Sequence, residues 1–571
     1  MLPTDGVMCF PGQTWEKVLS KVKKAVVFMD DRCSESLRWN GGAALLFEAE
    51  ARNIKQFSSF EAGGQNEPKA VFVVSTVLKG KTADIIKDII SLSRFQYLVG
   101  NPVFEQFEEK LCEWMGDMNY TAEVMHAPVV FAPLTQHLHL LPAFSDLFPL
   151  LEVDLESINE KRPQKRRFGS LMDVDTHSLS PELQIQIKSL ASAINTLFEF
   201  IGTREESFSV GPMSRLIAGE LASHPQAKNR RKSAPNKASV VFIDRTLDLT
   251  GAVGHHGDSL VEKILSVLPQ LPGHVTDVQV DMLELTHLKQ TTDNKGILAP
   301  GCLAQNQSAT ARLLWETMLV AKQKEAVMEV RRQLVEATSK ENLPIKMSLG
   351  RVTAEQLCSY VQLFRDSWGA LESHSGVLQL GLAAAQALRH PALPRWDACL
   401  AFERLLLQAL GDSDLAEVLK QLLPLIKSSE PGTGSDSSSG SGELSVDDLL
   451  VLLVYVYSMA QEACPGGAEE EKHVEKVENE LIGALTLRLT QQTSLSPLLQ
   501  EITGVSGPEE LTVERAHSTL ENVFETLRGV CHARDHLKHF SSVYTPSGGA
   551  HQLNQLSDIL LVLIFVQCLK S

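Results

Sequence analysis

The chain has 571 residues, 43% of them hydrophobic and 22% charged, with a formal net charge of −17 and a pI near 5.5. That length calls for three or four domain-sized units, and that composition excludes intrinsic disorder. The acidic balance argues against a nucleic-acid backbone as partner, because phosphate binding needs a concentrated basic surface.

Two local basic tracts, KRPQKRR (161–167) and KNRRK (228–232), sit beside Pro, Ser and Asn and read as solvated loops. The nine cysteines, at 9, 33, 112, 302, 358, 399, 464, 531 and 568, show no CxxC and no dense spacing. Free thiols in a reducing compartment follow. The N-terminal stretch lacks a charged region followed by an apolar one, so no signal peptide is expected. The longest apolar run, ILLVLIFV (559–566), is well short of the ~20 residues that span a bilayer and is expected to be a buried strand.

In chain order, an amphipathic helix with the stripe Trp15, Val18, Leu19 and Val22 leads into a strand at 25–30. A second strand (70–75) precedes a helix (82–92), and a third apolar segment covers 127–134. Short β-branched runs separated by helices predict a parallel sheet covered on both faces. A second α/β segment opens at Ser180, which can cap a helix with Pro181 at its first position, and runs to a strand at 238–245. Beyond about residue 260 the pattern is helical. It includes one long amphipathic helix over 313–340 and further helices near 352–365, 369–388, 397–410, 414–427, 446–462 and 468–492. The Gly/Ser-rich tract 428–445 is expected to be a flexible linker. No repeat of solenoid period is present.

Catalytic motifs are incomplete. In VVFIDRTLDLTG (240–251) Asp244 stands at a strand end, as a phosphoaspartate nucleophile would, but the second acid expected two residues on is replaced by Thr246. In STVLKGKT (75–82) the first glycine of a P-loop is replaced by Ser75. His532, His536 and His539 share a helical face without an acidic partner, and GHHGD (254–258) reads as a turn. No catalytic, cofactor or metal site is assigned.

The arrangement of VVFIDRTLDLTGAVGHHGDSLVEKIL (240–265) resembles the SM family of syntaxin-binding vesicle-trafficking proteins, in which a buried strand ends in Asp-Arg and a second Asp follows. Asp244, Arg245 and Asp248 match this pattern. KVKKAVVFMDDRCSESLRW (21–39) is similar to the family's first strand and helix, with Asp30 at the strand end, and 69–90 resembles its next strand, loop and helix. The segments beginning LLWETMLV and LCSYVQLF resemble the long helical pair of its third domain.

The resemblance implies a three-domain arch: two open α/β domains with mainly parallel sheets, and a large helical domain inserted into the second. The expected divisions are 1–134 for domain one, 135–255 and 530–571 for the two parts of domain two, and 256–529 for domain three. It also implies a non-catalytic, cytoplasmic regulator of docking and fusion in the secretory pathway. Syntaxin-type SNAREs are the expected partners, membrane-tethering subunits are a further class, and attachment to membranes is peripheral. A structural subunit of a tethering complex and a phosphoaspartate or P-loop hydrolase are the competing readings. Two departures from the family pattern bear on syntaxin binding. Glu35 and Gly42 stand near places where members that grip closed syntaxin carry basic side chains, and ILLVLIFVQCLKS replaces the usual closing segment of domain two.

Overall fold

The computed structural model describes residues 4–535 apart from 65–66, 94, 96, 102–106, 117–120, 248, 250–252, 256–258, 288–299, 305–307, 346–351, 413–414, 428–443 and 461–467. Asp248, His536, His539, most of the Gly/Ser tract and the apolar run at 559–566 therefore lie outside the described residues.

The chain opens with α1 (Thr4–Val22), β1 (Val26–Met29), α2 (Asp31–Trp39), α3 (Ala44–Glu48), β2 (Asn53–Gln56), β3 (Lys69–Val73), α4 (Lys81–Ser91), β4 (Tyr97–Asn101), α5 (Phe107–Met115) and β5 (Thr121–Val124). The five strands form one parallel sheet in the order β2-β1-β3-β4-β5. Successive side chains of a strand point to opposite faces, and here both faces are covered. Val27, Met29, Val71 and Val73 pack under Trp15, Val18 and Val22 of α1, whereas Val26, Phe28, Ala70 and Phe72 pack under Ile86, Ile89 and Ile90 of α4. The 127–134 segment is not the third strand: only β6 (Ala132–Pro133) pairs, with β7 (His139–Leu140), and antiparallel. Its apolar residues fill space instead, and the Phe131 carbonyl accepts a hydrogen bond from Ser36 of α2.

After α6 (Glu152–Glu160) and α7 (Pro181–Phe200), β8 (Thr203–Val210) pairs in parallel with β9 (Asn236–Ile243) across α8 (Pro212–Ser223) and α9 (Pro225–Ser233). Ser180 caps α7 with Pro181 at its first position, as the sequence predicts. The 228–232 tract is not a solvated loop. It forms the last turns of α9, and Arg230 is 6% exposed, ion-paired to the buried Glu205 of β8.

The remaining elements are α10 (Leu260–Val267), β10 (Val280–Asp281), β11 (Pro300–Gly301), α11 (Ala309–Val320), α12 (Gln323–Lys340), α13 (Ala354–Gln362), α14 (Trp368–Leu388), α15 (Leu393–Asp412), α16 (Leu415–Lys420), α17 (Leu423–Lys427), α18 (Val446–Met459), α19 (Ala468–Thr490), α20 (Pro497–Thr503) and α21 (Val513–Asp535). The single helix expected over 313–340 is two helices. Ala321 and Lys322 are extended, with ψ of 155° and 144°, and Lys322 pairs as an isolated β-bridge with Ser259. One apolar cluster joins α10 to α14, and a second joins α15 to α21. The first cluster also takes in Trp39 of α2, whose ring lies 5.4 Å from that of Trp315.

Candidate functional site

Two of the strand-end aspartates use the same device. A carboxylate at the end of a buried strand needs hydrogen-bond donors, and unpaired backbone amides at helix starts supply them. Asp30 follows β1 and caps α2, accepting the Cys33 amide at 2.8 Å. Its other oxygen accepts the amide and hydroxyl of Ser75, at 2.5 and 2.8 Å, and so ties the end of β1 to the end of β3. Burial and the nearby Asp30 carboxylate push the Cys33 thiol well above its ordinary range.

Asp244 follows β9 and accepts the amides of Met213 and Ser214, at 3.1 and 2.6 Å. These open α8, whose own cap position, Gly211, has no side chain to offer. Gly211 has φ of +107°, and a Cβ there would lie 2.3 Å from the Asp244 Cγ, so both backbone conformation and space require glycine. Burial pushes the Asp244 carboxyl up, against the pull of the Ser214 and Met213 hydrogen bonds. Arg245 donates to the carbonyls of Ser145 and Phe144, at 3.2 and 3.4 Å. Asp30 and Asp244 stand at the ends of separate sheets and are not brought together.

These contacts give the carboxylates structural work. Each Asp244 oxygen takes a backbone amide, and the adjoining cavity of about 50 Å³ is walled largely by apolar side chains such as Leu147, Ile194 and Ile217. The 75–82 turn has the Ser75 amide spent on Asp30, which removes it as a phosphate donor. Among the described residues no group of His, Cys, Asp and Glu has metal-binding geometry. No described helix is long and apolar enough to cross a membrane.

The larger concavity is a cleft of about 500 Å³ at the carboxyl ends of β1 and β3. The connections after these neighbouring strands leave in opposite directions, and ligands of open α/β sheets characteristically settle at such a switch point. Asp30, Asp31, Arg32, Ser75 and Thr76 form one wall, and Gln270–Val275 forms the other. Gly273, with φ of +75°, allows this approach, since a Cβ would stand 2.9 Å from the Asp31 Cγ.

Below the cleft, Glu35 is fully buried. Its Oε1 accepts the amides of Val275 and Thr276, at 2.8 and 2.6 Å, and the Thr276 hydroxyl at 2.5 Å. Trp39 Nε1–H donates to the same hydroxyl at 2.9 Å. Glu35 is thus an internal tie between α2 and the helical layer. A second tie escaped the sequence reading. His255, in the GHHGD turn, is 6% exposed; its amide donates to the buried Glu403 of α15 at 2.8 Å, and its Nδ1 lies 2.7 Å from that carboxylate. The available signal was a glutamate on the apolar side of a helix.

No protein-family profile matches the chain. Sec1 family domain-containing protein 2 of mouse is 49% identical over 577 residues, covering 96% of this chain and 83% of that protein. The human protein of the same name is 49% identical over 581 residues, with the same coverage. Sec1 family domain-containing protein MIP3 of Arabidopsis thaliana is 24% identical over 455 residues, 67% of this chain and 53% of that protein. Among solved structures, the SM protein Vps45 superposes with a TM-score of 0.54 at 12% identity, over 98% of this chain and 86% of its own. Vps45 in complex with the Qa SNARE Tlg2 (1-310) gives 0.51 at 11% identity, over 92% and 86%. The fold is the SM arch, with α/β sheets and helical layers, and at 49% identity across 96% of its length the chain belongs to the Sec1, or SM, family.

Proposed function

We propose that this chain is a non-catalytic binding protein for syntaxin-type SNAREs. It acts in vesicle docking and fusion as a cytoplasmic protein attached peripherally to secretory-pathway membranes. The observation that carries this reading is family membership, at 49% identity over 96% of the chain. The fold it shares with Vps45, which has been seen in complex with the Qa SNARE Tlg2, is consistent with it.

The physical case is that of a surface for helices. An amphipathic helix binds through apolar anchors at helical spacing. On the paired helices α11 and α12 the large apolar side chains Leu313, Val320 and Met328 are exposed, at 55%, 80% and 48%. Leu313 and Val320 are seven residues apart, two helical turns, and so lie near one line of α11. The cleft at the ends of β1 and β3 adds a polar wall with Arg32 at its edge. The family-motif residues Asp30, Asp244 and Arg245 act in this reading as the frame that holds these surfaces, and Asp248 is assigned to the same motif.

The test is capture of immobilised cytoplasmic domains of a full panel of syntaxin-type SNAREs by the purified chain. Saturable binding to at least one is expected, weakened about tenfold or more by Leu313→Asp with Val320→Asp. Binding to none of the panel overturns the reading, and capture of tethering-complex subunits alone replaces it with a scaffold role.

A further inference from the structure

We propose that the loop at 161–167 is a docking surface for an anionic lipid leaflet and orients the chain on the membrane. Lys161, Lys165, Arg166 and Arg167 are all exposed, and none of the four cationic groups has an ion-pair or hydrogen-bond partner among the described residues. The net charge of the chain is −17, yet these four side chains, clustered within seven residues, carry no carboxylate partner among the described residues.

The loop is built to hold these charges outward. The Asn159 side chain closes it at one end, accepting the Phe168 amide at 2.8 Å and donating to the Phe168 carbonyl at 3.1 Å. A 3₁₀ turn over Gln164–Arg166 shapes the middle. Arg162, the fifth cation of the tract, is used internally: Nε donates to the Arg166 carbonyl at 2.8 Å, Nη1 to the Ser178 hydroxyl at 2.9 Å, and the guanidinium lies 4.0 Å from the centre of the Phe168 ring. The carboxylates that follow are also committed. Asp173 accepts from the amide and hydroxyl of Ser170, and Asp175 from those of Ser178. Glu160, exposed beside Lys161, and Glu152, Asp154 and Glu156 further back on α6 are the exposed carboxylates that precede the loop.

The occupant follows from shape and charge. A receptor for a linear basic motif reads extended chain, whereas this segment is closed on itself by the Asn159–Phe168 pair and the 3₁₀ turn. It lines neither the cleft at the ends of β1 and β3 nor the cavity beside Asp244, so it offers a surface rather than a groove. Met172, 44% exposed a few residues on, adds an apolar contact of the kind that enters a lipid interface. Clusters of four or more Lys and Arg are drawn to the anionic cytoplasmic leaflet, while the acidic remainder of the chain is repelled by it. Together these forces select one face for contact. The inference goes beyond SNARE binding, and vesicles that carry no SNARE test it separately.

The experiment is co-sedimentation of the full chain with vesicles of phosphatidylcholine alone, or with roughly one third phosphatidylserine. Binding is expected only to the anionic vesicles, falling about fivefold for each cation removed in the series ending at K161A/K165A/R166A/R167A. It is also expected to fade as salt approaches ~1 M, where the screening length drops to about 3 Å. Thermal melts of the variants should match the parent, because the four side chains have no internal partner. Equal sedimentation with neutral vesicles, no sedimentation at all, or a quadruple variant that binds like the parent overturns the proposal. Capture by soluble polyglutamate without binding to vesicles overturns it in favour of an acidic protein partner.

Discussion

Glu35 of α2 holds Thr276 twice through one oxygen, taking its amide at 2.6 Å and its hydroxyl at 2.5 Å. The carboxylate is buried and its donors are fixed, so replacing it removes charge-assisted hydrogen bonds and strands the Val275 and Thr276 amides. Glu35→Gln is expected to cost about 1–3 kcal/mol, and Glu35→Lys about 3–5 kcal/mol, because it puts an unpaired cation in a closed site. Urea unfolding checks both. A Glu35→Lys chain as stable as the parent shows that α2 and the 270–276 segment are not held by this residue. Introducing a basic side chain here is therefore expected to loosen the structure, not to supply a new contact for a partner.

Gly211 and Asp244 form a matched pair. Gly211→Ala forces a side chain to within 2.3 Å of the Asp244 Cγ at a backbone φ of +107°. A loss of about 2 kcal/mol or more is expected. Asp244→Asn keeps the shape but replaces one acceptor with a donor facing an amide, at a cost of about 1–3 kcal/mol. SNARE capture by whatever fraction stays folded should be unchanged if the role is structural. Calorimetry and capture on the same sample separate the two readings.

The Arg230–Glu205 pair gives a pH prediction. Burial works to raise the Glu205 carboxyl, but hydrogen bonds from Arg230 and Arg231 outweigh it and hold the group below its ordinary value of 4.5. A depressed carboxyl contributes stability that is present above its unfolded value and is lost as pH falls through the folded one. Arg230→Ala is expected to destabilise by about 3–5 kcal/mol near neutral pH and to move the onset of acid unfolding to higher pH. Replacing both residues, as in Arg230→Met with Glu205→Leu, should recover much of the loss. Acid titrations followed by circular dichroism would contradict this if the single variant kept the parent's onset.

His139 acts in a different window. Buried at 6% exposure in β7, its imidazole is pulled down from 6.5 to about 4, burial being the main cause. The unfolded chain takes up this proton before the folded one. Stability is therefore present above pH 6.5 and declines by about 1.4 kcal/mol per unit as pH falls towards 4. His139→Leu is expected to flatten this part of the stability profile. Denaturant midpoints at half-unit pH steps measure the slope, and an unchanged slope removes His139 from the account.

The sequence displayed what depends on neighbours along the chain. β1 and β3 were legible as continuous apolar runs, and the strand-end aspartates as charges that buried strands must satisfy locally. β2 (NIKQ) and β5 (TAEV) lack that signal and become strands by pairing within the parallel sheet. The break between α11 and α12 was hidden because Ala321 and Lys322 continue the helical pattern, and a bridge to Ser259 decides the matter. Arg230 looked like loop charge because its partner Glu205 lies on another element. The same reason hid Glu35 and His255, whose partners are 240 and 148 residues away. Dense local patterns expose secondary structure; long-range polar ties do not.

The Trp39–Trp315 pair makes the molecule its own optical gauge. The two indoles are 5.4 Å apart and inclined by 45°, and they belong to the α/β sheet's helix α2 and to the helical layer. Each is pinned by its ring N–H, Trp39 to Thr276 and Trp315 to the Leu134 carbonyl. Rings this close couple their electronic transitions, whereas the indole of Trp368, 78% exposed on α14, emits as a solvated one. Any movement that parts the sheet from the helical layer would uncouple the pair and wet both rings, so it should register as a change in near-ultraviolet dichroism and a red shift in emission.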